Sequence, residues 1–243
     1  MSKLQRKQRK QHLIEVKNHL ELIDIIPLTS NQKRTFSSYY EGKNLFLHGI
    51  AGTGKTFISS YLSIRDVERN YYEKVIYYRS AVPSRDIGFM PGNLREKTRM
   101  YELPYYEIFG KLYGRKDAYE VLKNKGMIEF ECTSFIRGIT LEDSIIIVDE
   151  MQNLGPQELN SLITRVGNNC KIIFCGDIRQ TDLNRRHDPT GLVDFYEIVK
   201  HMKSFEVVEF IADDIIRSQL VKDYILTRMR LEDEGKIGHK GLH

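Results

Sequence analysis

Apolar and polar positions along the chain follow two alternating periods. Short runs rich in Val, Ile and aromatic residues recur at Asn44–His48, Lys74–Arg79, Met127–Glu131, Ser144–Asp149, Lys171–Gly176 and Ser204–Phe210, each of strand length and composition. Positions 145–148 are apolar without interruption, as expected of a central strand buried on both faces. Between these runs the period lengthens to that of a helix. Leu159, Leu162, Ile163 and Val166 follow Pro156 and precede Gly167, a helical stripe with a suitable start and stop. A second stripe links Leu192, Phe195, Tyr196, Val199 and Met202. Strands alternating with helices predict an α/β fold, a mainly parallel sheet flanked by helices. Residues 80–110 show neither period cleanly and hold three of the six prolines, which predicts a long functional excursion from the sheet.

Composition and charge narrow the class. The 243 residues are 41% hydrophobic, enough for one large domain with a packed core. No run of about 18 apolar residues occurs and no apolar segment follows the basic start, so neither a membrane span nor a secretory signal is expected. A cytoplasmic protein is the corresponding expectation. Cys132, Cys170 and Cys175 lack zinc-site spacing and read as small core residues. The net charge is +4, and five Lys or Arg fall in the first dozen residues with no acid among them. That end reads either as a solvated tail or as an arm attracted to phosphates.

The chemistry begins at HGIAGTGKT. Gly49, Ile50, Ala51, Gly52, Thr53, Gly54, Lys55 and Thr56 fit the phosphate-loop pattern G-x-x-x-x-G-K-[ST]. A strand precedes the loop and the helical spacing of KTFISSYLSI follows it. In such a loop, backbone N–H groups and a helix N-terminus face the phosphates, Lys55 reaches the β- and γ-phosphates, and the Thr56 hydroxyl ligates Mg²⁺. A second metal-side group, a carboxylate, is needed, and Asp149 at the end of the fully apolar run supplies it. Glu150, next to it, is placed to polarise an attacking water. A third apolar run ends in Gly176-Asp177, with Gln180 three residues on. An amide accepts from water and donates to a phosphate, so Gln180 is a candidate sensor of the γ-phosphate. An incidental residue after a Gly-Asp turn is the alternative.

At this point the sequence resembles the PhoH family of single-domain ATPases, which share a RecA-like core with superfamily 1 helicases. The likeness spans roughly residues 28 to 227 and is carried, in order, by PLTSNQ, RSAVPSRDIGFMPGNLREK, FIRGITLEDSIIIVDEMQN, GDIRQTDL and DDIIRSQLVKDYI. Ser80 and Met151 stand where the usual family form has Pro and Ala, and neither touches the nucleotide chemistry. The resemblance implies a RecA-like phosphate-loop domain over residues 28–227, between a basic N-terminal segment (1–27) and a C-terminal tail (228–243). It implies ATP and Mg²⁺ as cofactors, and a single-stranded nucleic-acid partner, RNA favoured.

The resemblance also implies residue roles. Gln32 corresponds to a glutamine that recognises adenine through its two-way hydrogen bonding, although Thr29-x-x-Gln32 equally fits a helix capping box. Arg217 resembles an arginine finger that neutralises charge on the transferring phosphoryl group; a surface arginine near a helix start is the other reading. Arg79, Arg85, Lys97, Arg99 and Arg137, interleaved with Phe89, Tyr101, Tyr105 and Phe135, are candidates to follow a polynucleotide backbone and stack on its bases.

Superfamily 1 helicases carry two such domains, the second supplying an arginine. With one domain here, Arg217 is expected to act across a subunit boundary in a homo-oligomer, a ring of six by family analogy. Some relatives add a nuclease domain; no stretch outside 28–227 is long enough for one, so no nuclease activity is expected. Two rivals stay open: a small-molecule kinase, and a nucleotide-gated binding protein in which ATP holds a conformation for a partner.

Overall fold

The six apolar runs pair edge to edge. The computed structural model describes residues 20–80, 94–132, 140–178 and 191–237. Within these, β1 (Asn44–Gly49), β2 (Lys74–Arg79), β3 (Ile128–Cys132), β4 (Ser144–Asp149), β5 (Lys171–Gly176) and β6 (Phe205–Phe210) form one parallel sheet in the order β3-β2-β4-β5-β1-β6. Helices α1 (Ser30–Tyr40), α2 (Lys55–Glu68), α3 (Leu94–Tyr113), α4 (Ala118–Asn124), α5 (Pro156–Ile163), α6 (Leu192–His201) and α7 (Gln219–Asp233) accompany it.

The strand period of two sorts the core into layers. Leu45, Leu47, Tyr77, Ile145, Ile147 and Ile173 face α1 to α4, packing with Phe36, Ile58, Leu62, Phe109 and Tyr119. Phe46, Ile76, Ile146, Val148, Ile172 and Phe174 face the other way, onto Leu159 and Leu162 of α5 and Phe195 and Val199 of α6. Every residue of β4 is buried. Burial of each Ile or Val there contributes about 1.5–3 kcal/mol relative to exposure, which makes β4 a firm base for whatever follows its last residue.

Helix α3 departs from the sequence expectation, since it occupies much of the stretch that lacked a clean period. Tyr105, Phe109 and Leu112 are fully buried, with Tyr101 and Ile108 half-buried beside them, a helical stripe. Pro104 lies inside this helix and removes one backbone donor; together with the charges of the first turns it obscures the period. Residues 81–93, the rest of that stretch, fall outside the described residues. Two further expected boundaries carry structure across them. Leu20, Leu22 and Ile25 pack on the core, the Ile23 amide donates to the Leu112 carbonyl at 2.8 Å, and α7 continues past residue 227 to Asp233. Cys132 and Cys175 are buried and Cys170 is half-buried, all as free thiols. Among the described residues, no helix is long and apolar enough to cross a membrane.

Candidate functional site

In a parallel sheet all strands end on one edge, and ligands bind in the crevice outside those carboxyl ends. Here β1 runs into the phosphate loop, β4 into Asp149-Glu150 and β5 into Gly176-Asp177. A cavity of about 520 Å³ opens there, lined by Lys55, Thr56, Asp149, Glu150, Asp177 and Arg217 among others. With β5 between them, the ends of β1 and β4 start roughly 10 Å apart. Helix α2 closes that gap: the Thr56 hydroxyl donates to Asp149 Oδ1 at 2.8 Å.

The loop is held from within. Thr53 is fully buried, and its hydroxyl donates to the Ile50 carbonyl at 2.9 Å. Lys55 Nζ donates to the carbonyls of Gly49 and Ile50, both at 2.8 Å. Burial lowers the Lys55 pKa, and the neighbouring thiol and carboxylates, Cys175, Asp177, Glu150 and Asp149, act against that shift. Beneath the loop Ser60 donates to the Thr56 carbonyl and receives the Tyr77 hydroxyl, each at 2.7 Å. Ser59 Oγ lies 3.3 Å from the buried Cys175 thiol, whose pKa burial pushes up to about 12.

Asp149 is buried, and burial raises its pKa, with the Glu150 charge adding to the effect. Three neighbours counter it: Arg79, its partner in the β2–β4 register, and the hydroxyls of Thr56 and Tyr105. Glu150 has left-handed backbone angles, φ 52° and ψ 46°, a conformation costing a side-chain-bearing residue about 1–3 kcal/mol. Gln152 braces it. The Gln152 amide donates to Glu150 Oε2 at 2.5 Å, and its carbonyl oxygen accepts the Asp177 N–H at 3.1 Å. This arrangement needs glycine at 176, because a β-carbon there would stand 2.4 Å from Gln152 Oε1 and 2.7 Å from Met151 Cγ. Hence one amide joins the ends of β4 and β5.

Thr56 and Asp149 present neighbouring hard oxygen donors. That set fits Mg²⁺, which keeps most of its waters and takes one or two protein oxygens beside the substrate phosphates. Among the described residues no group of three or more His, Cys, Asp or Glu gathers as a metal cluster.

The remaining candidates fall in varied places. Gln32 is buried, its Nε2 donating to the Thr53 carbonyl at 3.2 Å and its Oε1 accepting the Leu28 N–H at 2.8 Å. Thr29 caps α1 by accepting the Gln32 N–H at 3.3 Å, so half of the capping box forms while the Gln32 side chain joins Leu28 to the loop.

Arg217, expected across a subunit boundary, stands beside its own chain's loop. A β-carbon on Gly52 would meet Arg217 Cγ at 3.2 Å, and the Ile216 N–H donates to the Gly52 carbonyl at 3.2 Å. The segment after β6 therefore brings Arg217 to the cavity of its own chain.

Gln180 lies outside the described residues, as do Arg85, Phe89, Phe135, Arg137 and the Lys97 side chain. Arg79 lines the same cavity, beside the carboxylate. Tyr105 is fully buried, so it cannot stack on a base; Arg99 is exposed on α3 and Tyr101 half-buried. Sequence reasoning gave no role to Gln152, although it stands within the quoted DEMQN, nor to Tyr105 as a partner of Asp149.

Comparison with known proteins adds relatives. A family model described as PhoH-like protein matches residues 24–228. A PhoH-like protein of Bacillus subtilis is 32% identical over 198 residues, covering 81% of this chain and 61% of the relative. Protein PhoH of Escherichia coli K12 is 32% identical over 183 residues, covering 74% of this chain and 51% of the relative. The chain thus spans little more than half the length of these curated relatives. Among solved structures, the large terminase of a thermophilic bacteriophage matches with a TM-score of 0.52 at 13% identity, over 84% of this chain and 50% of that one. At that identity the likeness concerns the fold alone.

Proposed function

This chain belongs to the PhoH-like protein family, and from that premise we propose that it hydrolyses ATP with Mg²⁺ in response to single-stranded nucleic acid, RNA favoured. The observation that carries the reading is the 2.8 Å bond between Thr56 and Asp149 beside a phosphate loop. It joins the two metal-side oxygens of a phosphoryl-transfer site, with Glu150 as the next residue.

Lys55 exchanges the Gly49 and Ile50 carbonyls for the β- and γ-phosphates. Thr56 and Asp149 would hold Mg²⁺, which would supply charge neutralisation for the transfer. Water attacks the γ-phosphorus, the bond to the β,γ-bridging oxygen breaks, ADP leaves, and Glu150 takes the water's proton. Gln152 keeps Glu150 in its braced conformation. Arg217, from the same chain, neutralises charge on the transferring group, and Gln180 senses the γ-phosphate. Gln32 meets the adenine edge with its remaining donor and acceptor.

For the polymer, the exposed Arg99 and its neighbour Tyr101 on α3 support contact close to the cavity wall; the preference for RNA rests on the family. Assembly into a ring, six subunits by family analogy, completes the reading. Its support is the exposed apolar face of α7, where Leu220 is 80% and Tyr224 65% accessible.

The test is steady-state ATP hydrolysis with Mg²⁺, with and without single-stranded RNA and DNA. Stimulation by polymer is expected, with loss of activity in Lys55→Ala and a fall of about 10²–10⁴-fold in Glu150→Gln. Binding without turnover would overturn the ATPase reading in favour of a nucleotide-gated binder, and transfer to an added hydroxyl acceptor in favour of a kinase.

A further inference from the structure

Tyr105 stands where a phenylalanine would fill the same space. Its ring is fully buried in an aromatic cluster, with centroids 4.2 Å from Tyr77 and 5.7 Å from Phe130, and the cluster also contains Phe109. A phenolic oxygen in such surroundings needs a partner, and this one donates to Asp149 Oδ2 at 3.0 Å. Thr56 occupies the other oxygen of the same carboxylate. Thr56 is itself expected to turn toward the metal, whereas the core holds the Tyr105 ring in place. Tyr105 belongs to α3, whose Pro104, Glu107, Ile108 and Lys111 form a wall of the nucleotide cavity.

We propose that Tyr105 is a positioning residue of the phosphate site: its hydroxyl fixes the orientation of Asp149 for Mg²⁺ and joins that carboxylate to the α3 wall. The inference rests on the ATP and Mg²⁺ reading above and assigns it a residue outside the phosphate-loop and carboxylate motifs. Without the hydroxyl, Asp149 must be ordered when the metal binds. Immobilising one such side chain costs about 0.5–1.5 kcal/mol, corresponding to roughly 2- to 12-fold weaker metal engagement.

The experiment is calorimetric titration of ADP in EDTA and at a series of Mg²⁺ concentrations, with thermal unfolding alongside. It compares the wild type, Tyr105→Phe and, as a control from the same cluster, Tyr119→Phe, whose hydroxyl serves Glu102 instead, at 2.9 Å. Tyr105→Phe is expected to bind ADP in EDTA as the wild type does, and to need several-fold more Mg²⁺ for half of the metal-dependent gain. Tyr119→Phe is expected to match the wild type in both. A lower Tm in Tyr105→Phe with an unchanged Mg²⁺ requirement would show a purely structural hydroxyl and overturn the proposal alone. A wild type that binds no nucleotide would overturn the ATPase reading and this inference with it.

Discussion

Gly49→Ala isolates the junction between the sheet and the phosphate loop. Gly49 ends β1 at φ +113°, and a β-carbon there would lie 2.2 Å from the Phe210 carbonyl oxygen and 3.0 Å from its carbon and nitrogen. These are backbone atoms, so no rotamer relieves the overlap, and the gap falls about 1 Å or more short of van der Waals contact. Among the described strands β6 pairs only with β1 and must move away, which breaks the bond from the Ile50 N–H to the Phe210 carbonyl at 3.0 Å. The positive φ costs roughly 1–2 kcal/mol and a stranded buried N–H roughly 1–3 kcal/mol, together about 2–5 kcal/mol. At about 2–4 °C per kcal/mol for a chain of this size, Tm falls by roughly 4–20 °C. Gly42→Ala provides the control: its φ is +83° with nothing within 4 Å of the added carbon, leaving only a backbone cost of about 1 kcal/mol. Urea and thermal unfolding without nucleotide compare the two. Equal losses would show that the contact with Phe210 carries no energy and would refute the reasoning.

Three further outcomes follow from the geometry. Gly176→Ala displaces Gln152 and releases Glu150, so kcat is expected to fall by about 10- to 100-fold with ADP affinity unchanged, a split read from kinetics and calorimetry together; a change in affinity alone would contradict the brace. Mixing Arg217→Ala with Lys55→Ala protein restores no ATPase activity if Arg217 serves its own chain, whereas recovery in mixed assemblies would place it across the boundary. Lys171 is buried against the Tyr39 ring at 3.7 Å, donates to the Tyr39 carbonyl at 2.7 Å, and has its pKa lowered by burial to about 8 from the ordinary 10.5. Above the native value the folded state sheds this proton while the unfolded chain retains it, so stability rises with pH in that window. The Tm advantage of Lys171→Met over the wild type should therefore shrink between about pH 7 and 9.5, and a constant gap would refute the assignment.

Legibility in the sequence followed how local each determinant is. Strands β2, β4 and β5 were readable residue for residue because a buried parallel strand is written as a continuous apolar run. The phosphate loop was readable because its glycines, lysine and threonine are contiguous. Helix α3 was not, since its stripe from Tyr101 to Leu112 encloses Pro104 and follows a dense run of charges. The position of Arg217 beside its own chain's loop was also beyond the sequence, because its meeting with Gly52 depends on the path of the chain after β6. Tyr105 reads as one more aromatic in a tyrosine-rich stretch until Asp149 is found beside its hydroxyl.

Strand order gives the third motif its physical reason. Because β5 lies between β1 and β4, the chain leaving β5 must pass between the phosphate loop and the Asp149-Glu150 pair. Only a residue without a side chain fits under Gln152 at that point, hence Gly176. The next N–H, from Asp177, then meets the Gln152 oxygen whose amide holds Glu150. A displacement of Asp177 therefore reaches the proposed general base through a single carboxamide. Gln152→Glu tests that step: it keeps an acceptor for the Asp177 N–H but replaces the donor to Glu150 with a like charge. Turnover should collapse while nucleotide binding persists, and retained turnover would show that Glu150 needs no brace.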